Sequence, residues 1–361
     1  MRFALTMLFF VLAAPAWAEA VAVDSPRWQF EGAPPQVVEF QGKRALSLVG
    51  TNARLADADF DAGVIEFDMA LPNTKQSFPG VIFRGQDDGN YEHFYLRPHQ
   101  NGNPDSMQYT PVINGMTAWQ IYKQYNAQTI FPVNQWMRVR LEIGEDSARV
   151  FVNSDKPTLV VHDLKRERKA GFVMIKGSLG GAYFANINIT PGAQDAAPAE
   201  PVSELMPGHV RAWFVSSPMA EAVALAAAGA NTLKGLAWTR LPVESNGIAN
   251  LARAAAWTEK APTVLTRVVV RADRARSVAM RFGFSDRVRV YVNGALLFTG
   301  DDSQASRDYR FLGTVGLYDE LQLQLRRGDN DVVFAVSEGG GGWAAQAAFI
   351  EMDGLTLVDA Q

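Results

Sequence analysis

Apolar residues recur at every second position over long stretches of this 361-residue chain. That period belongs to a pleated strand with one buried face. In the first half Ile65, Phe67, Met69 and Leu71 share a face opposite Glu66 and Asp68. Met137, Val139, Leu141 and Ile143 do the same opposite Arg138, Arg140 and Glu142. The second half repeats the pattern with Val278, Met280, Phe282 and Phe284, with Val288, Val290 and Val292, and with Leu321, Leu323 and Leu325 against Gln322 and Gln324. Asn293-Gly294, between two apolar runs, is a hairpin signal, and Gly328-Asp329-Asn330 marks a second turn. Many short strands broken by frequent turns predict an all-β chain folded as sandwiches. One Ala-rich patch, Met219 to Ala228 ended by Gly229, reads as a short helix or connection.

The alternation fails between Thr190 and Val202, where Pro, Ala and Gly replace any apolar face. A segment of that composition is a linker. The reading is therefore two β-sandwich domains, 19–190 and 205–361, joined by a Pro/Ala-rich linker at 191–204. Residues 1–18 form a different kind of segment. Arg2, an apolar run from Phe3 to Leu12 and Ala16-Trp17-Ala18 before Glu19 are the order of a secretory signal peptide cleaved after Ala18. The run is too short to cross a bilayer and no later segment is longer, so no membrane span is expected. The mature chain is expected in the periplasm or outside the cell.

With no cysteine, disulfides, thiolate metal sites, a cysteine nucleophile and a lipid-modified cysteine are all excluded. The formal net charge is −4. The short basic run at 164–169 reads as a solvated turn, so nucleic acid is not an expected partner. No cofactor is implied. Asp301, Asp302, Asp308 and Asp319 could offer oxygens to a structural calcium, although their spacing matches no calcium loop and solvated turns are the simpler reading. Gly339 to Gly342 has no following helix or Lys and is not a phosphate loop. It lets backbone pass close to Trp343.

Residues 28–190 carry, in order, GVIEFDMAL at 63–71, FPGVIFRG at 78–85, YEHFYLRPH at 91–99, NQWMRVRLEIGEDSARVFVN at 134–153 and GGAYFANINI at 180–189. This succession resembles the concanavalin A-like lectin/glucanase superfamily, which implies a jelly-roll sandwich. Within it the segment is most similar to the 3-keto-disaccharide hydrolase domain family. Glucanases of the superfamily carry a Glu-x-Asp-x-x-Glu strand. Here Glu66 and Asp68 occupy the first two positions and Leu71 the third, which leaves Glu66 and Asp68 as the wet face of a strand. Residues 264–354, with FSDRVRVYVNGALLFTG at 284–300, LRRGDNDVVFAVSE at 325–338 and GGGGWAAQAAFI at 339–350, resemble the galactose-binding-like sandwich, a module that often binds sugar.

The most distinctive stretch is 91–125. On a strand over 91–97, Tyr91, His93, Tyr95 and Arg97 share one face, while Glu92, Phe94 and Leu96 share the other. Saccharides stack their C–H faces on aromatic rings and hydrogen-bond to planar polar side chains. Arg84, Tyr91, Tyr95, Arg97, His99, Gln108, Tyr109, Trp119 and Tyr122 are therefore the candidate substrate-binding residues. The partner expected is an oligo- or polysaccharide, held mainly by the first sandwich. The alternative is a secreted glycoside hydrolase with Glu92 or Asp105 as acid/base and His93 or His99 assisting, since His titrates near neutrality. A metal reading would draw on His93, His99 and Asp105 or Glu92. A purely structural or adhesive exoprotein is the third reading, because sandwiches host many functions.

Overall fold

The computed structural model describes residues 19–199, 204–230, 232–303 and 314–358. The signal-peptide segment 1–18 and Asp308 lie outside the described residues. The regular structure of the described residues is almost all β, in four sheets. The first two sheets draw only on residues 19–191 and the other two only on 212–358.

One sheet orders Leu159–Val161, Ala148–Val152, Trp136–Ile143, Gly63–Ala70, Ala182–Pro191, Lys43–Leu48 and Gln36–Phe40. Its partner orders Met116–Thr117, Met107–Ile113, Asn90–Leu96, Gly80–Asp87, Gly171–Lys176, Thr51–Phe60 and Trp28–Gly32. The alternation read from the sequence decides which side faces in. Ile65, Phe67 and Met69 from the first sheet meet Val81, Phe83 and Phe94 from the second in one core. On the wet side of the first sheet Arg138 pairs with Glu66 at 2.6 Å and Lys43 with Asp68 at 2.6 Å. Both carboxylates of the truncated glucanase pattern are thus engaged in cross-strand ion pairs.

The second sandwich sets a larger sheet, centred on Thr263–Ala272, Gly328–Ser337 and Arg287–Val292, over a smaller one of Ala249–Asn250, Ala344–Phe349, Arg276–Ser285 and Asp319–Leu325. Trp213, Phe282, Phe334 and Trp343 fill the space between them. Asn293 and Gly294, with φ of 50° and 85°, close the hairpin that their sequence predicts. The Ala-rich patch is an α-helix, Glu221–Gly229, whose Ala224 and Ala228 pack on Leu265, Tyr291 and Ala335.

The linker is not loose where it is described. The Ala197 amide donates to Ser147 Oγ at 2.8 Å and Arg149 reaches the Ala196 carbonyl at 2.8 Å, so the segment leaving Ala182–Pro191 runs along the first sandwich. In the basic run Glu167, Arg168 and Lys169 are exposed, as a solvated turn would be, and Lys165 departs from that expectation. Lys165 is buried between the rings of Tyr122 and Tyr125, and its carbonyl accepts from Arg253 of the second sandwich at 2.6 Å. Two rings and a carboxylate, Asp163 at 2.6 Å, replace the water this ammonium would otherwise hold.

The sandwiches are joined by more than the linker. Segment 118–122, which follows the short strand Met116–Thr117, inserts into the second sandwich. The Gln120 amide donates to the Gly341 carbonyl at 3.0 Å, and its own carbonyl accepts from Val315 at 3.1 Å. The Gln120 side chain accepts from Ser285 Oγ at 2.9 Å and donates to Asp286 Oδ1 at 3.4 Å. A Cβ on Gly341 would stand 2.2 Å from Gln120 Oε1, and Gly341 has φ of 142°, so glycine is required there twice over. The four-glycine run therefore makes its close approach to Gln120, in the other sandwich.

Behind this contact lie two acids. Asp286 accepts from the Gly339 amide at 2.9 Å and Glu338 from the Gly340 amide at 2.8 Å. Burial, and then the neighbouring Asp286 charge, push the Glu338 carboxyl up to about 8. Its ordinary value is 4.5, so between these limits the folded chain keeps a proton that the unfolded chain has released. The stability given by that proton is whole below pH 4.5 and is lost as pH rises towards 8. Glu338→Gln, neutral at every pH, is expected to flatten this slope, raising the melting temperature by roughly 2–8 °C near pH 8 and by little near pH 5. Equal shifts at both pH values in a calorimetric series would contradict the account.

Candidate functional site

Strand Asn90–Leu96 separates two environments by its pleat. Glu92, Phe94 and Leu96 enter the core. Tyr91, His93 and Tyr95 face out and line a cleft of about 460 Å³ with Gln76, Phe78, Asp88, Arg97, Gln108, Val112, Gly115, Thr117, Trp119 and Lys176. The sheet register explains the grouping. Lys176 lies across from Gly80, Gly80 from Tyr95, and Tyr95 from Gln108, so these four form one lateral row. Met174, Ile82, His93 and Thr110 form the next.

The cleft wall is stiffened by its own contacts. The Tyr95 hydroxyl donates to Gln108 Oε1 at 2.5 Å, and Gln108 Nε2 donates to Asn126 Oδ1 at 2.8 Å. Tyr95 meets Phe78 edge-on with centroids 5.5 Å apart, and His93 lies 4.7 Å from Tyr95. Burial holds the Tyr95 hydroxyl high, while burial and the Lys176 charge hold His93 well below its ordinary value, so the imidazole is neutral. His93 is 4% exposed, and its Nε2 is buried without a hydrogen-bond partner. A buried polar atom left unpaired is costly, and this one belongs to a residue that lines the cleft.

Several candidates are placed elsewhere. Glu92 is fully buried, accepting from the Tyr109 hydroxyl at 2.6 Å and from the Arg166 amide at 3.1 Å. Burial pushes its carboxyl up against the opposing pull of Tyr109 and Arg166, and burial with the Glu92 charge also raises the Tyr109 hydroxyl, so the pair is an element of the core. Tyr109 therefore points away from the cleft, as the pleat requires of a residue opposite Phe94. Arg84 sits at a register break in Gly80–Asp87 with φ of 50°, which turns its side chain inward. There it donates to the carbonyls of Asp61, Gly144 and Glu145 at 2.6, 2.7 and 2.9 Å, tying loops together. Tyr122 is buried between the sandwiches, with its hydroxyl 2.8 Å from Glu244 and 3.2 Å from Asn250 Nδ2. His99 lies edge-on to Phe78, in the turn Pro98–Gln100, outside the cleft lining. Asp105 stands behind Arg97, paired to its guanidinium.

Glu92 and His93, adjacent in the chain, face opposite sides and cannot share an ion. Among the described residues no three His, Asp or Glu side chains are grouped to hold a metal. The cleft also has members that the sequence reading did not pick out: Gln76, Phe78, Asp88, Thr117 and Lys176. Lys176 was detectable, since Phe172, Met174 and Lys176 alternate onto one face of a short apolar strand.

No family model matches the chain, and no curated protein matches it. Similar solved structures include carbohydrate-binding module CBM66 from Bacillus subtilis, at 14% identity over 46% of this chain and 98% of that one, with a TM-score of 0.33. A native glycosidic hydrolase is 14% identical over 50% and 99%, with a TM-score of 0.37. The Bacillus licheniformis β-glucanase is 11% identical over 50% and 100%, with a TM-score of 0.34. At such identities and TM-scores these are distant resemblances.

The two faces of Asn90–Leu96 make separable predictions. Tyr109→Phe leaves the Glu92 carboxyl without its side-chain donor and is expected to cost about 1–3 kcal/mol in urea unfolding. The same variant should bind any cleft ligand as the unmodified chain does. A loss of ligand affinity at unchanged stability would place Tyr109 in the wrong environment.

Proposed function

We propose that this is an exported carbohydrate-binding protein whose first sandwich holds a saccharide in the cleft beside Trp119. The row of Tyr91, His93 and Tyr95, flanked by Arg97 and Gln108, carries the reading. Rings with polar tips suit a pyranose, which offers C–H faces to rings and hydroxyls to planar donors and acceptors. The cleft's volume lies in the range of small-ligand sites.

Binding is favoured over cleavage by the placement of the acids. Glycoside hydrolysis needs two carboxyl groups flanking the scissile bond, about 5–5.5 Å apart for retention and 6.5–9.5 Å for inversion. Among the described residues lining the cleft, Asp88, exposed at its rim, is the one carboxylate. Glu92 is sealed in the core and Asp105 is paired behind Arg97. In this reading the second sandwich is a support, since Gln120, next to Trp119, is anchored in it. Export is supported by the signal-like order of residues 1–18.

Calorimetric titration of the mature protein against a panel of oligosaccharides is the direct test. Binding is expected for at least one, and none at roughly 1 mM would overturn the reading. Trp119→Ala and Tyr91→Ala should each weaken it about tenfold or more. Glu66→Gln, on the far sheet, should leave it unchanged. Sequencing of the amino terminus of protein recovered from the periplasm or medium should begin at Glu19, and retention of Arg2 would refute cleavage after Ala18.

A further inference from the structure

The cleft contains a cation without an anion. Lys176 is half-buried among Gly80, Tyr95 and the rest of its row, and it lines the cleft. Among the described residues it has no carboxylate partner. The three fully buried cations of the first sandwich are each answered by oxygen partners. Arg97 is paired with Asp105, Arg84 holds three carbonyls near Asp61, and Lys165 holds Asp163.

An ammonium withdrawn from water without a counter-charge raises the free energy of the unliganded protein. Burial alone lowers the proton affinity of Lys176, so the cost stands uncompensated. Beside it, in the next lateral row, the buried Nε2 of His93 also lacks a partner. Asp88 does not answer this charge. It lies exposed at the Tyr91 end, where its influence is felt by the Tyr91 hydroxyl. Around Lys176, Arg97 and Asp105 the local balance is therefore one positive charge in excess, in a partly dry cleft where charge pairs interact more strongly than in water.

We propose that the saccharide taken by this cleft is an acidic one, a sugar bearing a carboxylate that pairs with Lys176. This rests on the carbohydrate-binding reading and narrows its ligand class. The carboxylate supplies the counter-charge for Lys176 and an acceptor within the cleft. The rings and the Tyr95–Gln108 pair remain for the C–H faces and hydroxyls.

The test is calorimetry with oligogalacturonate, oligoglucuronate and oligomannuronate, each set against its carboxyl-reduced neutral counterpart. At least one uronate is expected to bind about tenfold or more tightly than its neutral counterpart, with the difference shrinking as salt is added. In Lys176→Met the ratio of the two affinities should fall toward one, and in Lys176→Arg it should persist. Equal affinities for acid and neutral forms would overturn the proposal while leaving saccharide binding intact. So would an unchanged ratio in Lys176→Met. Binding of neither form of any sugar would overturn both readings together. Circular dichroism of each variant separates a lost charge from a lost fold.

Discussion

The pleat of one strand governs this molecule's chemistry. Along Asn90–Leu96 each residue is assigned to a side by parity, and the two sides demand opposite things. Inside, Glu92 is tolerated because the Tyr109 hydroxyl and the Arg166 amide satisfy its oxygens. Outside, His93 is left with an unsatisfied nitrogen at the wall of a cleft. A slip of one residue would exchange them, placing the Glu92 carboxyl in the cleft and the His93 imidazole in the core beside Phe83.

The second constraint is the insertion of 118–122. Segments of irregular backbone are normally exposed because their amides and carbonyls need water. Here those groups are satisfied by Gly341, Val315 and Asn246 from the other sandwich, so an irregular segment can be buried. The arrangement brings Ile121 and Tyr122 into the join and leaves Trp119 at the cleft. One short loop thus serves both the cleft and the seam.

How much of this was legible in the chain depends on distance along it. The all-β character and the helix at Glu221–Gly229 follow from local periodicity, and the structure shows them. The two faces of Asn90–Leu96 were equally local, which is why Tyr91, His93, Tyr95 and Arg97 emerge together. Arg84 and Tyr122 were not legible for different reasons. A register break with positive φ reverses Arg84 against its pattern, and Tyr122 finds Glu244 from 122 residues away, beyond any periodic signal. Lys165 misled in the other direction, because a run of charge suggests water and gives no hint of two tyrosine rings waiting elsewhere. Lys176 was written plainly in the alternation of its strand, but only three dimensions reveal that among the described residues no carboxylate is paired with it.

The four-glycine run has a bearing on how this protein can be handled. Gly341 meets Gln120 so closely that the surfaces of the two sandwiches were shaped as a mould and its cast. Severing the chain at the linker would strip the first half of the groups that satisfy the Gln120 backbone and the Tyr122 hydroxyl, and would bare Ile121 to solvent. The halves are separable in sequence yet unfinished apart, so a bench dissection into modules would measure the wound as much as the module.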